Sequence, residues 1–178
     1  MVEQMQTREA VGWEQPSHPT LIQVEHGKEG SFGTRATSLA SRPAGALFCD
    51  LSAARKASKR TYATVQASET SDIDLNSDVV YFNHSCNPSM VIDPAKMEVR
   101  VGDKPIQKGD ELTLFYPSFE WSMSQPFDCT CSEKDCIGLI QGAKSIEPNV
   151  LQRYWLTDHV KKLSGVVNVN GSNGINGH

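Results

Sequence analysis

Three cysteines, Cys129, Cys131 and Cys136, follow Cys-x-Cys-x4-Cys spacing, and a fourth, Cys86, stands upstream in Asn83-His84-Ser85-Cys86-Asn87-Pro88. Three thiolates leave a tetrahedral zinc shell one ligand short, and Cys86 completes it. Cys129-Thr130-Cys131 would grip the ion through a tight loop, with Cys136 returning after the polar run Ser132-Glu133-Lys134-Asp135. Free thiols in a loose segment, or one oxidised pair, are the alternatives; four cysteines so arranged favour one structural Zn2+. Such an ion would fold residues 129–142 over the Asn83-His84 segment and build one wall of a channel. A third stretch, Gly109-Asp110-Glu111-Leu112-Thr113-Leu114-Phe115-Tyr116, is a turn followed by an apolar run that closes on a phenol. A polar turn before a proline, or an aromatic at a strand end, is common by itself. The three pieces in this order are not.

These residues need a scaffold. A chain of 178 residues accommodates one domain plus tails, and a hydrophobic content of 38% leaves part of the length unpacked. A net charge of −4 argues against a nucleic-acid surface, because counterion release needs many Lys and Arg. The dense basic run Arg55-Lys56-Ala57-Ser58-Lys59-Arg60 reads as a solvated loop ahead of a nuclear-import or anion-binding patch. No run reaches transmembrane length, and residues 1–20 lack the apolar core of a signal peptide. The expectation is an intracellular protein, of nucleus or cytoplasm, where clustered cysteines favour metal over disulfides. Cys49, in Ala46-Leu47-Phe48-Cys49, reads as a buried core thiol.

Residues 21–25, 32–37, 47–51, 61–67, 89–93, 98–101 and 111–115 read as short strands punctuated by Gly, Pro, Asn and Asp. No long helix alternates with them, so the fold class is mostly β with a C-terminal helix. That helix opens at Glu147-Pro148-Asn149, and Val150, Leu151, Tyr154, Trp155, Val160 and Leu163 carry it to Gly165. The expected layout is a loose N-terminal segment over 1–19, a core over 20–121, a metal-binding flank over 122–143, the helix over 144–164 and a Gly/Asn-rich flexible tail over 165–178.

In order and distance, Asn83–Pro88, the run closing on Tyr116 and the cysteine triplet resemble the SET domain, the lysine methyltransferase fold, with its zinc-binding post-SET flank. The likeness spans residues 20–143 and marks a small, divergent member. It implies a β-clip architecture of several short sheets with a threaded (pseudoknot) C-terminal segment. It also implies S-adenosyl-L-methionine as cofactor, one Zn2+ on Cys86, Cys129, Cys131 and Cys136, and a protein or peptide lysine as substrate. Methyl transfer to an amine is an in-line displacement that rests on alignment, desolvation and stabilised charge. By resemblance Tyr116 stands beside the transferring methyl, and Asn83 and His84 hold the cofactor. The stretch Gly27-Lys28-Glu29-Gly30-Ser31-Phe32-Gly33-Thr34-Arg35-Ala36 is similar to the turn that cradles it, which adds Gly30, Phe32 and Gly33 to the cofactor set. Tyr62 falls where substrate contacts are expected and is the second catalytic candidate.

The chain departs from the family pattern in places that bear on activity. Val80 replaces an arginine, Ser89 an asparagine, and Phe115 an aspartate. Leu114 replaces the Phe or Tyr that governs how many methyl groups are added, and Gly30-x-x-Gly33 expands the usual Gly-x-Gly. The stretch before Asn83 that reads a peptide is short. Two further readings therefore stand beside the methyltransferase. One is an enzyme that cyclises or methylates a small apolar metabolite in a pocket of Tyr62, Phe82, Phe115, Tyr116 and Trp121. The other is a non-catalytic interaction module. Neither direct nucleic-acid contact nor a membrane is expected.

Overall fold

The computed structural model describes residues 12–28, 33–61 and 63–166. Its strands run Ile22–Glu25 (β1), Arg35–Ser38 (β2), Leu47–Asp50 (β3), Arg55–Lys56 (β4), Thr64–Gln66 (β5), Asp72–Asp74 (β6), Asn83–His84 (β7), Met90–Asp93 (β8), Glu98–Val101 (β9), Thr113–Leu114 (β10), Phe127–Asp128 (β11) and Leu139–Ile140 (β12). Helices Pro148–Leu151 (α1) and Asp158–Ser164 (α2) follow. The strands form small sheets ordered β1-β2, β3-β9-β8, β4-β6-β5, β7-β10 and β11-β12. The fold is thus mostly β, in several short sheets, as the sequence requires.

Period-2 patterning builds the main core. Met90, Ile92, Val99 and Val101 all point inward from the β8-β9 pair, at most 2% exposed. Phe48, Leu51, Phe82, Ile106 and Leu112 close over them. Cys49 lies in the same core, and burial pushes its thiol up to about 12, which makes it inert. No helix among the described residues is long and apolar enough to cross a membrane.

The expected strand over 111–115 divides its pairing. Ser38 N–H donates to Asp110 O (2.8 Å) and Leu112 N–H to Ala36 O (2.9 Å), so this end runs antiparallel to β2. One residue later Thr113 and Leu114 pair in parallel with Asn83 and His84. The segment beyond is enclosed from three sides. Tyr116 Oη donates to Phe82 O (3.0 Å), Gln66 N–H to Glu120 Oε1 (2.9 Å) and Thr157 N–H to Ser118 O (2.9 Å).

Two expectations need correction, and a third gains detail. The single helix over 144–164 is instead two. Tyr154 leaves the helical path to stack on Phe115 (centroids 3.6 Å apart, planes 9° apart) and to donate to Cys86 O (2.9 Å). Thr157 then donates both N–H (2.9 Å) and Oγ1 (3.1 Å) to Ser118 O at the start of α2. Tertiary bonds outweigh helix continuity here. Gly165 closes α2 at φ +69°, and Val166 is buried in a second core with Phe115, Leu151, Leu156 and Val160.

The basic run is solvated, as expected, and is also tied down. β4 pairs with β6, Arg55 Nη1 donates to the carbonyls of Ser52, Ala53 and Ala54, and Arg60 bridges Asp72 at 2.8 Å. Finally, residues 12–19 are tied down rather than loose. Asp78, 1% exposed, accepts Trp13 Nε1–H (3.1 Å), Gln15 Nε2–H (2.9 Å) and Ser17 N–H (2.7 Å). A buried carboxylate must be satisfied, and this segment satisfies it. The rest of the expected loose ends, 1–11 and 167–178, lies outside the described residues.

Gly142 marks where the C-terminal part closes on the core. Its φ of +107° suits glycine alone, and a Cβ there would stand 2.7 Å from Trp121 O and 2.8 Å from Ser122 Cα. Gly142→Ala is expected to cost about 3 kcal/mol, read as a lower urea midpoint. An unchanged midpoint would rule out the close approach.

Candidate functional site

The two-residue parallel ladder sets the site. Side by side, β7 and β10 deliver Asn83 and His84 to the segment that ends at Tyr116. Asn83 Nδ2 donates to Thr34 O (3.0 Å), tying the motif to the end of the glycine-bearing turn, one residue from Gly33. No partner is seen for Asn83 Oδ1 among the described residues. His84 Nδ1 accepts Tyr116 N–H (3.2 Å), so Nε2 carries the ring hydrogen and faces Cys86 Sγ at 3.5 Å. Phe115, Tyr116 and Phe127 surround the imidazole at 5.3–5.7 Å between centroids. Burial pushes His84 down to about 4, so it is neutral. Tyr116 donates its hydroxyl to Phe82 O (3.0 Å), and burial raises the phenol well above its ordinary range, so it remains a hydrogen-bond donor.

Of the expected site residues, the structure brings Asn83, His84 and Tyr116 together and leaves Gly33 exposed beside Thr34. Gly30, Phe32 and Tyr62 lie outside the described residues. The departures from the family pattern acquire local reasons. Ser89 Oγ donates to Glu111 O (2.8 Å) and accepts Thr113 N–H (2.9 Å), while Ser89 N–H donates to Thr113 Oγ1 (3.1 Å). This serine pins the register of β10. Leu114, Phe115 and Phe82 are 3%, 2% and 1% exposed, packed into the two cores. Of the residues expected to line a metabolite pocket, Phe82 and Phe115 are thus core residues, and Tyr62 lies outside the described residues. Two surface clefts, of about 480 and 320 Å³, lie elsewhere, by Glu69 and Lys162 and by Trp121, Lys144 and Leu163.

Cys86, Cys129, Cys131 and Cys136 converge, with every Sγ within 4.8 Å of the others. Cys86 and Cys129 Sγ stand 3.9 Å apart. Tetrahedral bonds of ~2.3 Å to zinc place ligand sulfurs ~3.8 Å apart. Backbone N–H groups of Cys131, Ile137 and Gly138 point at the sulfurs of Cys129, Cys86 and Cys136 at 3.4–3.5 Å, the partners that thiolates require. The cluster can hold a metal ion.

Sequence reasoning missed three contributors. Phe127, two residues before Cys129, packs on both His84 and Tyr116. Asp78 anchors the 12–17 segment. Glu120, 7% exposed, accepts Gln66 N–H (2.9 Å), while Gln66 Oε1 accepts Trp121 N–H (2.9 Å), a reciprocal clamp between β5 and the segment that follows Tyr116. Phe127 alone left a signal, an apolar residue beside the metal loop.

Burial pushes Glu120 up to about 7, above the ~4.3 of an unfolded glutamate. The folded protein therefore binds a proton that the unfolded chain has released, and stability falls as pH rises from about 4 through about 7. Glu120→Gln keeps the acceptor for Gln66 and removes this penalty. It is expected to gain on the order of 2–3 kcal/mol at pH 8 and progressively less toward pH 5. Melting curves across pH check it, and a gain independent of pH would show that Glu120 does not titrate in this window.

The SET domain family model matches residues 7–117, more than half of the chain. The chain belongs to the SET-domain family. Over 152 residues, 85% of both chains, this SET domain is 51% identical to the methyltransferase flvH of Aspergillus flavus. Over 72 residues, 38% of this chain but 8% of the relative, it is 33% identical to an H3 lysine-36 specific histone-lysine N-methyltransferase of Gibberella zeae. Its fold is similar to KRYPTONITE crystallised with mCHH DNA, an H3(1-15) peptide and SAH, at a TM-score of 0.51 and 16% identity, over 66% of this chain and 29% of that one. A second KRYPTONITE structure, with mCHG DNA and SAH, gives a TM-score of 0.50 and 18% identity over the same shares. At such identities the likeness speaks for the fold, and the chemistry must be argued from the site.

Proposed function

We propose that this SET domain transfers a methyl group from S-adenosyl-L-methionine to an amine nitrogen, with the side-chain amine of a protein lysine as acceptor. One observation carries the reading: the Tyr116 hydroxyl, kept protonated by burial, is fixed on the Phe82 carbonyl one residue from Asn83. When bound, the cofactor supplies an electrophilic methyl on a positively charged sulfur. The residues present fit such a group. Asn83 Oδ1 is an open acceptor for an ammonium, and the backbone at Gly33 and Thr34 lies beside it. The Tyr116 and Phe82 oxygens form an electronegative rim, which stabilises positive charge at a migrating methyl without moving a proton. His84 fixes the Tyr116 backbone, and the packed aromatics around it exclude water. The four thiols hold one Zn2+, which anchors the flank over 122–143 against the motif.

A small-molecule amine is the second reading. The relative matched over 85% of this chain is named only as a methyltransferase, whereas the histone-specific one matches 38% of it. Both readings use the same site and differ in the acceptor. Calorimetry with SAH, followed by transfer of labelled methyl to an H3 peptide, free lysine and short alkyl amines, separates them. Label on the peptide supports the first reading, and label on small amines alone supports the second. Tight SAH binding with no acceptor labelled, in this panel or in a whole-cell protein extract, would sink methyl transfer.

A further inference from the structure

The segment over 12–17 is bonded to both ends of the turn that leads into β7. Asp78–Tyr81 is a 3-10 turn whose preceding residue, Ser77, gives no side-chain cap. Its opening is held instead by the N-terminal segment. Asp78 N–H donates to Ser17 Oγ (2.7 Å), and the Asp78 carboxylate takes the three donors from Trp13, Gln15 and Ser17. These bonds span 61–65 residues of sequence. At its far end Tyr81 sits between the rings of Trp13 (6.4 Å) and His26 (5.9 Å), and its hydroxyl accepts Gln15 Nε2–H (3.3 Å). His26 in turn begins the connection to the glycine-bearing turn.

The next residue is Phe82, whose carbonyl accepts the Tyr116 hydroxyl, and then Asn83, whose amide reaches Thr34. Short 3-10 turns have poor internal hydrogen-bond geometry, so external contacts decide their orientation. Here those contacts come from the N-terminal segment, and charge-assisted bonds to a desolvated carboxylate are strong ones. Burial pushes the Asp78 pKa up, and the bonds from Trp13, Ser17 and Gln15 outweigh it and hold the carboxyl below its usual range. The group is ionised whenever the protein is folded near neutrality.

We infer that residues 12–17 are a strap that belongs to the methyl-transfer site, with Asp78 as its positioning residue: the strap sets where the Phe82 carbonyl stands, and so where the Tyr116 hydroxyl points. The inference rests on the proposed function for its catalytic meaning. Misplacement of such a group by ~1 Å costs up to about 100-fold in rate, which is the scale on which the strap acts.

The test is the double variant Trp13→Phe/Gln15→Met in the full chain. Phenylalanine keeps a ring against Tyr81, methionine keeps the length of Gln15, and both donors to Asp78 Oδ1 are lost. Ser17 still holds Oδ2, so the fold persists. The expected result is a kcat lower by about 10-fold, with SAH affinity and the KM for the amine within twofold of the parent. Hydrogen exchange at the Phe82 and Asn83 amides, measured in parallel, is expected to speed up. An unchanged kcat, or a loss that only follows the folded fraction, overturns the inference. Where the parent itself fails to bind SAH or methylate, the cofactor reading falls instead. Exchange then decides: unchanged protection at Phe82 and Asn83 overturns the strap, and faster exchange supports it.

Discussion

Tyr116→Phe is expected to lower methyl transfer by about 100-fold or more, at SAH affinity within a few-fold of the parent. The ring stays, so its edge contacts with His84 and Phe127 at 5.3 and 6.0 Å persist, and the backbone bond to His84 Nδ1 is untouched. What disappears is the hydroxyl at 3.0 Å from the Phe82 carbonyl. Loss of that single bond costs about 1 kcal/mol of stability, small against the barrier change. The oxygen matters because it is half of the electronegative rim at the motif, in surroundings dry enough to raise its own ionisation above the ordinary range. Turnover should therefore show no break from Tyr116 ionisation up to pH 10. Single-turnover assays with labelled cofactor check both points. A phenylalanine variant with parental turnover would remove Tyr116 from the chemistry.

The second large effect concerns the thiols. Purified protein is expected to hold one equivalent of zinc, and Cys86→Ser is expected to lose most of it. Three cysteines come from one short loop; Cys86 is the thiol that ties that loop to the Asn83–Pro88 motif, beside a bond from Asn87 Nδ2 to Glu133 Oε2 (3.4 Å). Its sulfur accepts Ile137 N–H (3.4 Å) and faces His84 Nε2 (3.5 Å), and its carbonyl accepts the Tyr154 hydroxyl (2.9 Å). Structural zinc contributes on the order of 10 kcal/mol, far more than any other bond between 127–142 and the core. Elemental analysis gives the stoichiometry, and limited proteolysis within 127–142 after chelation reads the released flank. Full zinc content in the serine variant would overturn the four-thiol assignment.

The cluster was legible because metal chemistry leaves its signature in residue type and spacing, and Cys86 needed no structure to be named. Most strands were legible for a similar reason: alternation in 90–93 and 98–101 encodes which face is buried. What the sequence hid was settled by partners distant along the chain. The helix over 144–164 breaks because Tyr154 finds Phe115 and Cys86, and no local propensity announces that. The 12–19 segment reads as polar and loose because its order comes from one buried carboxylate more than sixty residues away. The strands Arg55–Lys56, Asn83–His84, Phe127–Asp128 and Leu139–Ile140 are too short for any periodicity to mark. Glu120 and Gln66 look like surface residues until the segment they clamp is in place.

The ladder between β7 and β10 also governs how this chain can change length in evolution. A slip of one residue would turn Asn83 and His84 to opposite faces, away from Thr34 and from Tyr116. Two rungs cannot resist that slip alone; Ser89, clipped to Glu111 and Thr113, does it for them. Insertions in the β8-β9 turn, or in the surface stretch around Asp103 and Lys104, leave both anchors in place and are absorbed as longer loops. A single residue gained or lost between Glu111 and Tyr116 has nowhere to go. A change of length is thus tolerated in the outer hairpins of this chain and not within the six positions from Glu111 to Tyr116.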